Sequence, residues 1–208
     1  MGVGEIAALT WFPAFMARLK GAMPRVSCEV VVDLTMGMRQ RLENGDIDLA
    51  IMAGPVTAQQ MRHADLGPIH LHWMTSGADR TLPASQGLAT LLAGKPVWAL
   101  ARPSAMYEMT LAEIDSIGAR IGHLNTCTQI QTLIEMVAAG AGVALLPDVM
   151  IGDYLRDQRL RPALRGAAPR SLDFVIAWNA HEEQAVIRSI VELAGECSTF
   201  ERKRRRIV

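Results

Sequence analysis

The chain has little that would advertise a chemistry. Its three cysteines, Cys28, Cys127 and Cys197, lie far apart and form no CxxC pair, which argues against a disulfide framework or a zinc ribbon and suits a reducing cytoplasm. No apolar run approaches the ~20 residues that span a bilayer, and the first residues lack the basic segment and apolar core of an export signal. The expected location is therefore the cytoplasm, with no membrane partner. Neither sign of charge is in excess, since 21 Lys and Arg balance 21 Asp and Glu, so no general attraction draws the chain to nucleic acid or lipid. A partner has to be recognised locally.

Catalytic and cofactor signatures are also lacking. No GxSxG elbow, P-loop, HExxH or EF-hand pattern occurs, and His181-Glu182-Glu183 lacks the second histidine of a metal-binding helix. His63, His70, His72 and His123 are scattered. His70 and His72 share one face of a predicted strand, but two imidazoles without a third ligand read as ordinary, partly buried histidines. Asp46 and Asp48 read as a turn residue and a strand-start residue rather than an acid/base pair. No enzyme activity, metal or cofactor is expected.

What is present is core. Half of the 208 residues are hydrophobic, enough for one large lobe or two small ones. In AAGAGVALLP, at 138 to 147, the glycines follow a helical pattern (Ile130, Leu133, Ile134, Val137) and precede a strand. A dinucleotide fingerprint needs the reverse order. Gly140 is therefore expected to cap a helix over 128–139, with Gly142 turning the chain into Val143–Leu146. Upstream, Leu9, Phe12, Met16, Leu19 and Met23 mark an amphipathic helix that must begin near Thr10 or Trp11 to tolerate Pro13. Alternation from Val26 to Val32 predicts a strand of about seven residues. A helix from about Met36 stops at Asn44-Gly45, and Asp48–Met52 reads as a buried strand, completing a parallel βαβ unit.

Punctuation at Ala53-Gly54-Pro55 suggests entry into a second lobe. Strands are expected there at Ile69–Met74, Val97–Leu100 and Val143–Leu146. Leu172–Trp178 should be a strand and about Glu182–Cys197 a helix, with Glu182 and Glu183 matching the helix dipole. The bases at 202 to 206 read as a solvated tail. Thr35 lies between a strand and a helix, and Asn125, Thr126 and Thr128 precede the second-lobe helix. In open α/β sheets such junctions form ligand crevices, although each residue also suits a plain helix cap.

In their order, LTWFPAFMARLKGAMPRVSCEVVV, RLENGDIDLAIM, LIEMVAAGAGVALLPDVM and LRDQRLRPAL resemble the effector-binding domain of LysR-type transcriptional regulators. The resemblance covers nearly the whole chain and is loosest over 56–95. It implies an α/β, two-lobed type 2 periplasmic-binding-protein fold, each lobe a sheet flanked by helices, with lobe I at 1–54 and 181–208 and lobe II at 55–180. It further implies a small organic effector held between the lobes. The contacts would be Glu5, Ile6, Ala7 and Thr10 in the first loop, Thr35 with Met36 after the second strand, and Asn125, Thr126 and Thr128 in the second lobe. The family often has Ser or Thr in the first loop, so Glu5 points away from a simple dicarboxylate and toward an aromatic, zwitterionic or less anionic ligand. A homo-oligomer is implied, pairing through the first helix and a second-lobe helix. Trp11 or Phe15 would serve that contact if exposed, although core packing is their ordinary use. DNA binding would belong to a helix-turn-helix domain of the parent regulator, which this sequence does not include. The alternatives are a transporter's solute-binding protein, which the missing export signal disfavours, and an enzyme on the same fold, for which no base and nucleophile can be named.

Overall fold

The computed structural model of the chain describes residues 1–56, 60–79, 87–164, 168–180 and 185–200. The readings made above for His181, Glu182, Glu183 and the basic tail lie outside these residues. From the amino end run β1 (Gly2–Val3), α1 (Glu5–Leu9), α2 (Phe12–Ala22), β2 (Val31–Val32), α3 (Thr35–Asn44), β3 (Leu49–Ala53) and the 16-residue β4 (Met61–Ser76). Then come α4 (Leu88–Gly94), β5 (Val97–Leu100), α5 (Ala105–Ser116), β6 (Leu124–Cys127), α6 (Ile130–Ala138), β7 (Val143–Pro147), α7 (Asp148–Arg156), β8 (Leu160–Pro162), β9 (Arg170–Asn179) and α8 (Ala185–Cys197). Among the described residues no helix is long and apolar enough to cross a membrane.

The chain divides into two compact units: unit 1 is Met1–Ile69 with the chain from Ser171, and unit 2 is His70–Arg170. Both exchanges between these units fall inside strands, in β4 and at the start of β9. A strand has no Pro- or Gly-rich linker to announce it, and the Gly54-Pro55 punctuation simply ends β3.

In unit 1 the strands run in the order β2-β1-β3-β9-β4. β1 is parallel to both neighbours, with Val3 opposite Val32 and Ile51, and β3 is antiparallel to β9. The expected βαβ unit is there, but β1 occupies the place between its two strands. Of the seven residues expected in its first strand only Val31 and Val32 are paired, because β1 offers so short a partner and, among the described residues, β2 has no strand on its other side. Pro13 sits in the first turn of α2, where no helical hydrogen bond is lost. Phe12, Phe15 and Leu19 turn inward from that helix, and Arg18 pairs with Glu196 of α8 at 2.7 Å. Trp11 is buried beside Phe15, as core packing would have it. α3 buries Met38 and Leu42 against Ala50, Met52 and Val175, each large side chain contributing roughly 1.5–3 kcal/mol. Gly45, with φ 76°, ends the helix in the left-handed conformation that its sequence announced.

In unit 2, β5 is parallel to β6 and β7, and β7 and β8 are antiparallel to the Leu71–Ser76 part of β4. α6 buries Ile130, Leu133, Ile134 and Val137, the four residues whose spacing predicted it. Gly140 has φ 95° and Gly142 has φ 150°. At Gly142 a Cβ would stand 2.1 Å from the Pro96 carbonyl oxygen, so only glycine lets the backbone approach this closely.

Candidate functional site

In unit 1 the carboxyl ends of β1, β2 and β3 lie side by side. The Gly4 amide donates to Ile51 O at 2.7 Å and the Asp33 amide to Val3 O at 3.4 Å, which sets the Glu5 turn beside the turn leading to Thr35. The structure thus gathers Glu5, Ile6, Ala7, Thr35 and Met36 at one edge of the unit. Their side chains differ in what they can offer. Ile6 and Ala7 are buried, so only their backbone is available. Thr10 closes α1 by donating its hydroxyl to Ile6 O at 2.7 Å, with Ala7 O at 3.3 Å, which leaves it lone pairs rather than a free proton. Thr35 is the first residue of α3 and makes no capping bond; the cap position is Leu34. Met36 is 52% exposed.

Asp33 is the functional-type residue that sequence reasoning passed over at this edge. Its Oδ1 accepts from the Leu34 amide at 2.7 Å, its Oδ2 lies 3.4 Å from Arg41 Nε, and the same oxygen would stand 2.5 Å from a Cβ on Gly37. A carboxylate next to the positive end of α3 is electrostatically favoured. The available signal was an Asp four residues before a helical glycine.

In unit 2 the parallel pair β5 and β6 delivers a second edge of the same kind. Ala99 faces Thr126 and Leu100 faces Cys127, and the Ala101 amide donates to Cys127 O at 2.8 Å. Asn125 and Thr126 are therefore strand residues of β6 rather than part of a helix-entry loop. Asn125 Nδ2 donates to Val97 O at 3.3 Å, while Thr126 and Thr128 are exposed. Thr128 does not cap α6; Gln129 holds that position, and its side chain makes no capping bond. α5, by contrast, is capped from within by Ser104 Oγ, which accepts from the Met106 amide at 3.2 Å. Arg102 stands between β5 and α5 with its guanidinium over the Tyr107 ring, 4.8 Å from the centroid. Sequence reading missed it, since a lone arginine beside a proline carries no periodic signal.

The scattered histidines gather nothing: among the described residues no three His, Cys, Asp or Glu side chains are placed to share a metal ion. A shallow recess of unit 2, lined by Leu71, His72, Trp73, Glu113, Leu145 and Arg170 among others, includes none of the expected effector contacts.

No curated protein matches the chain by sequence. Solved structures match its fold. It is 19% identical to the reduced form of the regulatory domain of OxyR2 from Vibrio vulnificus, with a TM-score of 0.77 over 94% of this chain and 93% of that one. It is 14% identical to the apo regulatory domain of HypT from Salmonella typhimurium, with a TM-score of 0.77 over 93% and 92%. The regulatory domain of CcmR from Synechocystis PCC6803, in complex with 2-PG, gives 12% identity and a TM-score of 0.80 over 95% of both chains. These neighbours share the two-lobed periplasmic-binding-protein-like fold. The family model described as LysR substrate binding domain matches residues 1–197. With that match over nearly all of its length, the chain belongs to the LysR substrate-binding-domain family, the effector-sensing portion of LysR-type transcriptional regulators.

Proposed function

We propose that a small organic effector is held by residues at the strand carboxyl ends of both units, with Glu5, the Ile6 and Ala7 backbone, Thr35, Met36, Asn125, Thr126 and Thr128 as its contacts. The observation that carries this reading is that each unit brings parallel strands and helix starts to a common edge, β1 and β2 with α3 in unit 1, β5 and β6 with α6 in unit 2. Backbone N–H groups at such edges favour small polar or anionic ligands. Occupancy alters the geometry of a homo-oligomer, and the parent regulator converts that change into altered transcription in the cytoplasm, touching DNA through a helix-turn-helix domain. Exposed Leu9 and Val32 of unit 1 are apolar surface suited to pairing between copies. No catalytic role is assigned to any residue. A transporter's solute-binding protein is set aside by the family match.

A thermal-shift screen of small organic acids and amino acids tests the reading. A compound at a hundredfold its Kd stabilises the folded chain by about 2.7 kcal/mol. The expected result is a stabilising compound whose effect is lost in both Thr35→Val and Thr126→Val. A compound whose full effect survives both changes would place the effector elsewhere.

A further inference from the structure

We propose that unit 2 carries a separate small-ligand site in the recess floored by β4 and β7, and that its ligand is a small aliphatic amino acid in zwitterionic form. The recess lies wholly within unit 2 and shares no residue with the strand-end contacts named above.

Trp73 of β4 stands opposite Leu145 of β7, and Leu71, two residues from Trp73, shares its face of the sheet. These three buried side chains make an apolar floor, and Pro162 of β8 is also in the lining. One part of the wall is charged. Glu113 of α5 and Arg170, which opens β9, both line the recess and are paired with each other through Arg170 Nε and Glu113 Oε2. That bond uses half of what each group can offer, since a guanidinium has a second edge formed by its two Nη groups and a carboxylate has a second oxygen. Among the described residues neither side chain has another hydrogen-bond or ion-pair partner, so the Nη edge and Glu113 Oε1 remain able to bond. The Glu113 side chain is only 11% exposed, which limits the water that competes for it.

Taken together the pair is neutral. A lone carboxylate would gain from Arg170 but meet the charge of Glu113, and a lone ammonium would meet the reverse. A ligand that carries both charges presents each to its opposite. The recess sets the size of the remainder. Its volume of about 40 Å³ is far below the ~150 Å³ of a cavity that admits benzene, so it takes a methyl- or ethyl-sized tail and rejects an isobutyl or aromatic one. An α-amino acid with a short side chain joins the two charges and that tail on one carbon.

The test is a set of titrations of the intact chain followed by NMR, with L-alanine against propionate, ethylamine and L-leucine. The reporters are the Leu145 amide and the Trp73 indole N–H, which is buried without a partner. Alanine is expected to move both saturably, and the other three compounds to bind at least about tenfold more weakly, because each lacks one charge-assisted bond or carries too large a tail. Arg170→Gln is expected to weaken alanine by about tenfold or more. Ala168 is an exposed residue of the lining, so Ala168→Leu narrows the recess without touching the core and is expected to weaken alanine to a similar extent. No saturable shift at the two reporters, propionate or ethylamine binding as well as alanine, or alanine binding indifferent to both changes would each overturn the assignment. This site and the strand-end site fail separately. Thr35→Val and Thr126→Val are expected to leave the alanine shifts at Trp73 and Leu145 unchanged, and a screened compound that depends on those threonines but ignores Arg170→Gln reports on the strand ends alone.

Discussion

Tyr154 donates its phenolic hydrogen to Glu135 Oε1 at 2.5 Å, tying α7 to α6. Arg159 holds the other carboxylate oxygen at 2.5 Å and lies over the Tyr154 ring at 4.8 Å from its centroid, and Gln131 donates to the phenol oxygen at 2.8 Å. Glu135 is held below the usual carboxylate range, by the Tyr154 bond first and Arg159 second. Its share of stability is complete above its unfolded pKa of about 4.3 and is lost as pH falls through the lower folded value. Tyr154 moves up, through burial first and the Glu135 bond second. Its share is complete below about pH 10 and is lost as pH rises through the folded pKa. Tyr154→Phe should therefore cost about 0.5–1 kcal/mol near neutrality, a modest figure because the network faces solvent. The difference from wild type in urea unfolding should shrink toward both pH extremes, and a difference independent of pH would exclude this origin.

How far the sequence revealed these elements depended on whether a local pattern and a tertiary need agreed. α6 was legible because its four buried residues recur at helical spacing and two glycines follow that can each adopt positive φ. The strand from Val26 was over-read, since alternation describes side chains and cannot report how much partner strand exists. β6 was missed as a strand because Asn125 is a poor strand former and only the neighbouring β5 compels it. α5 buries Met106, Thr110 and Ile114 alone, a thin stripe with a polar member, and α7 buries only Ile151. At the candidate site Thr35, Thr126 and Thr128 were visible as polar residues at junctions. Asp33 and Arg102 became visible only with Gly37 and Tyr107 in place around them.

The two glycines after α6 should behave differently when changed to alanine. Gly140 has φ 95° with open space around a Cβ, so alanine meets only the backbone penalty of about 1–2 kcal/mol. At Gly142 the Cβ would press on Pro96 O, the acceptor for the Val143 amide at 2.9 Å. Gly142→Ala should cost about 3 kcal/mol or more, the range reserved for forced core or backbone movement. Equal losses in chemical denaturation would show that the contact relaxes freely.

Phe200 ties the chain after α8 to unit 1. It is 2% exposed and its ring lies 5.8 Å from Trp11 and 4.9 Å from Phe174, centroid to centroid. Ser198 supports it, donating its hydroxyl to Leu66 O at 2.8 Å and accepting from the Phe200 amide at 3.3 Å. Phe200→Ala should destabilise the chain by about 3–5 kcal/mol, and Ser198→Ala by about 1 kcal/mol. A Phe200→Ala loss below that of Ser198→Ala would mean that the aromatic cluster collapses onto the vacated space.

Asp33 and Gly37 make a pair whose coupling has a sign. Glycine inside a helix is less stable than alanine by about 1 kcal/mol, so Gly37→Ala would ordinarily stabilise α3. Here the new methyl would stand 2.5 Å from Asp33 Oδ2, displacing the carboxylate from the Leu34 amide and Arg41. Gly37→Ala should therefore be neutral or destabilising in the native background, yet stabilising by about 0.5–1 kcal/mol once Asp33 is already alanine. A double-mutant cycle in urea measures the difference directly. If alanine at 37 were equally favourable in both backgrounds, the carboxylate would have room to leave, and Gly37 would owe its place to something other than Asp33. If the coupling is found, the glycine holds the turn in which the Asp33 carboxylate accepts from Leu34 and Thr35 opens α3.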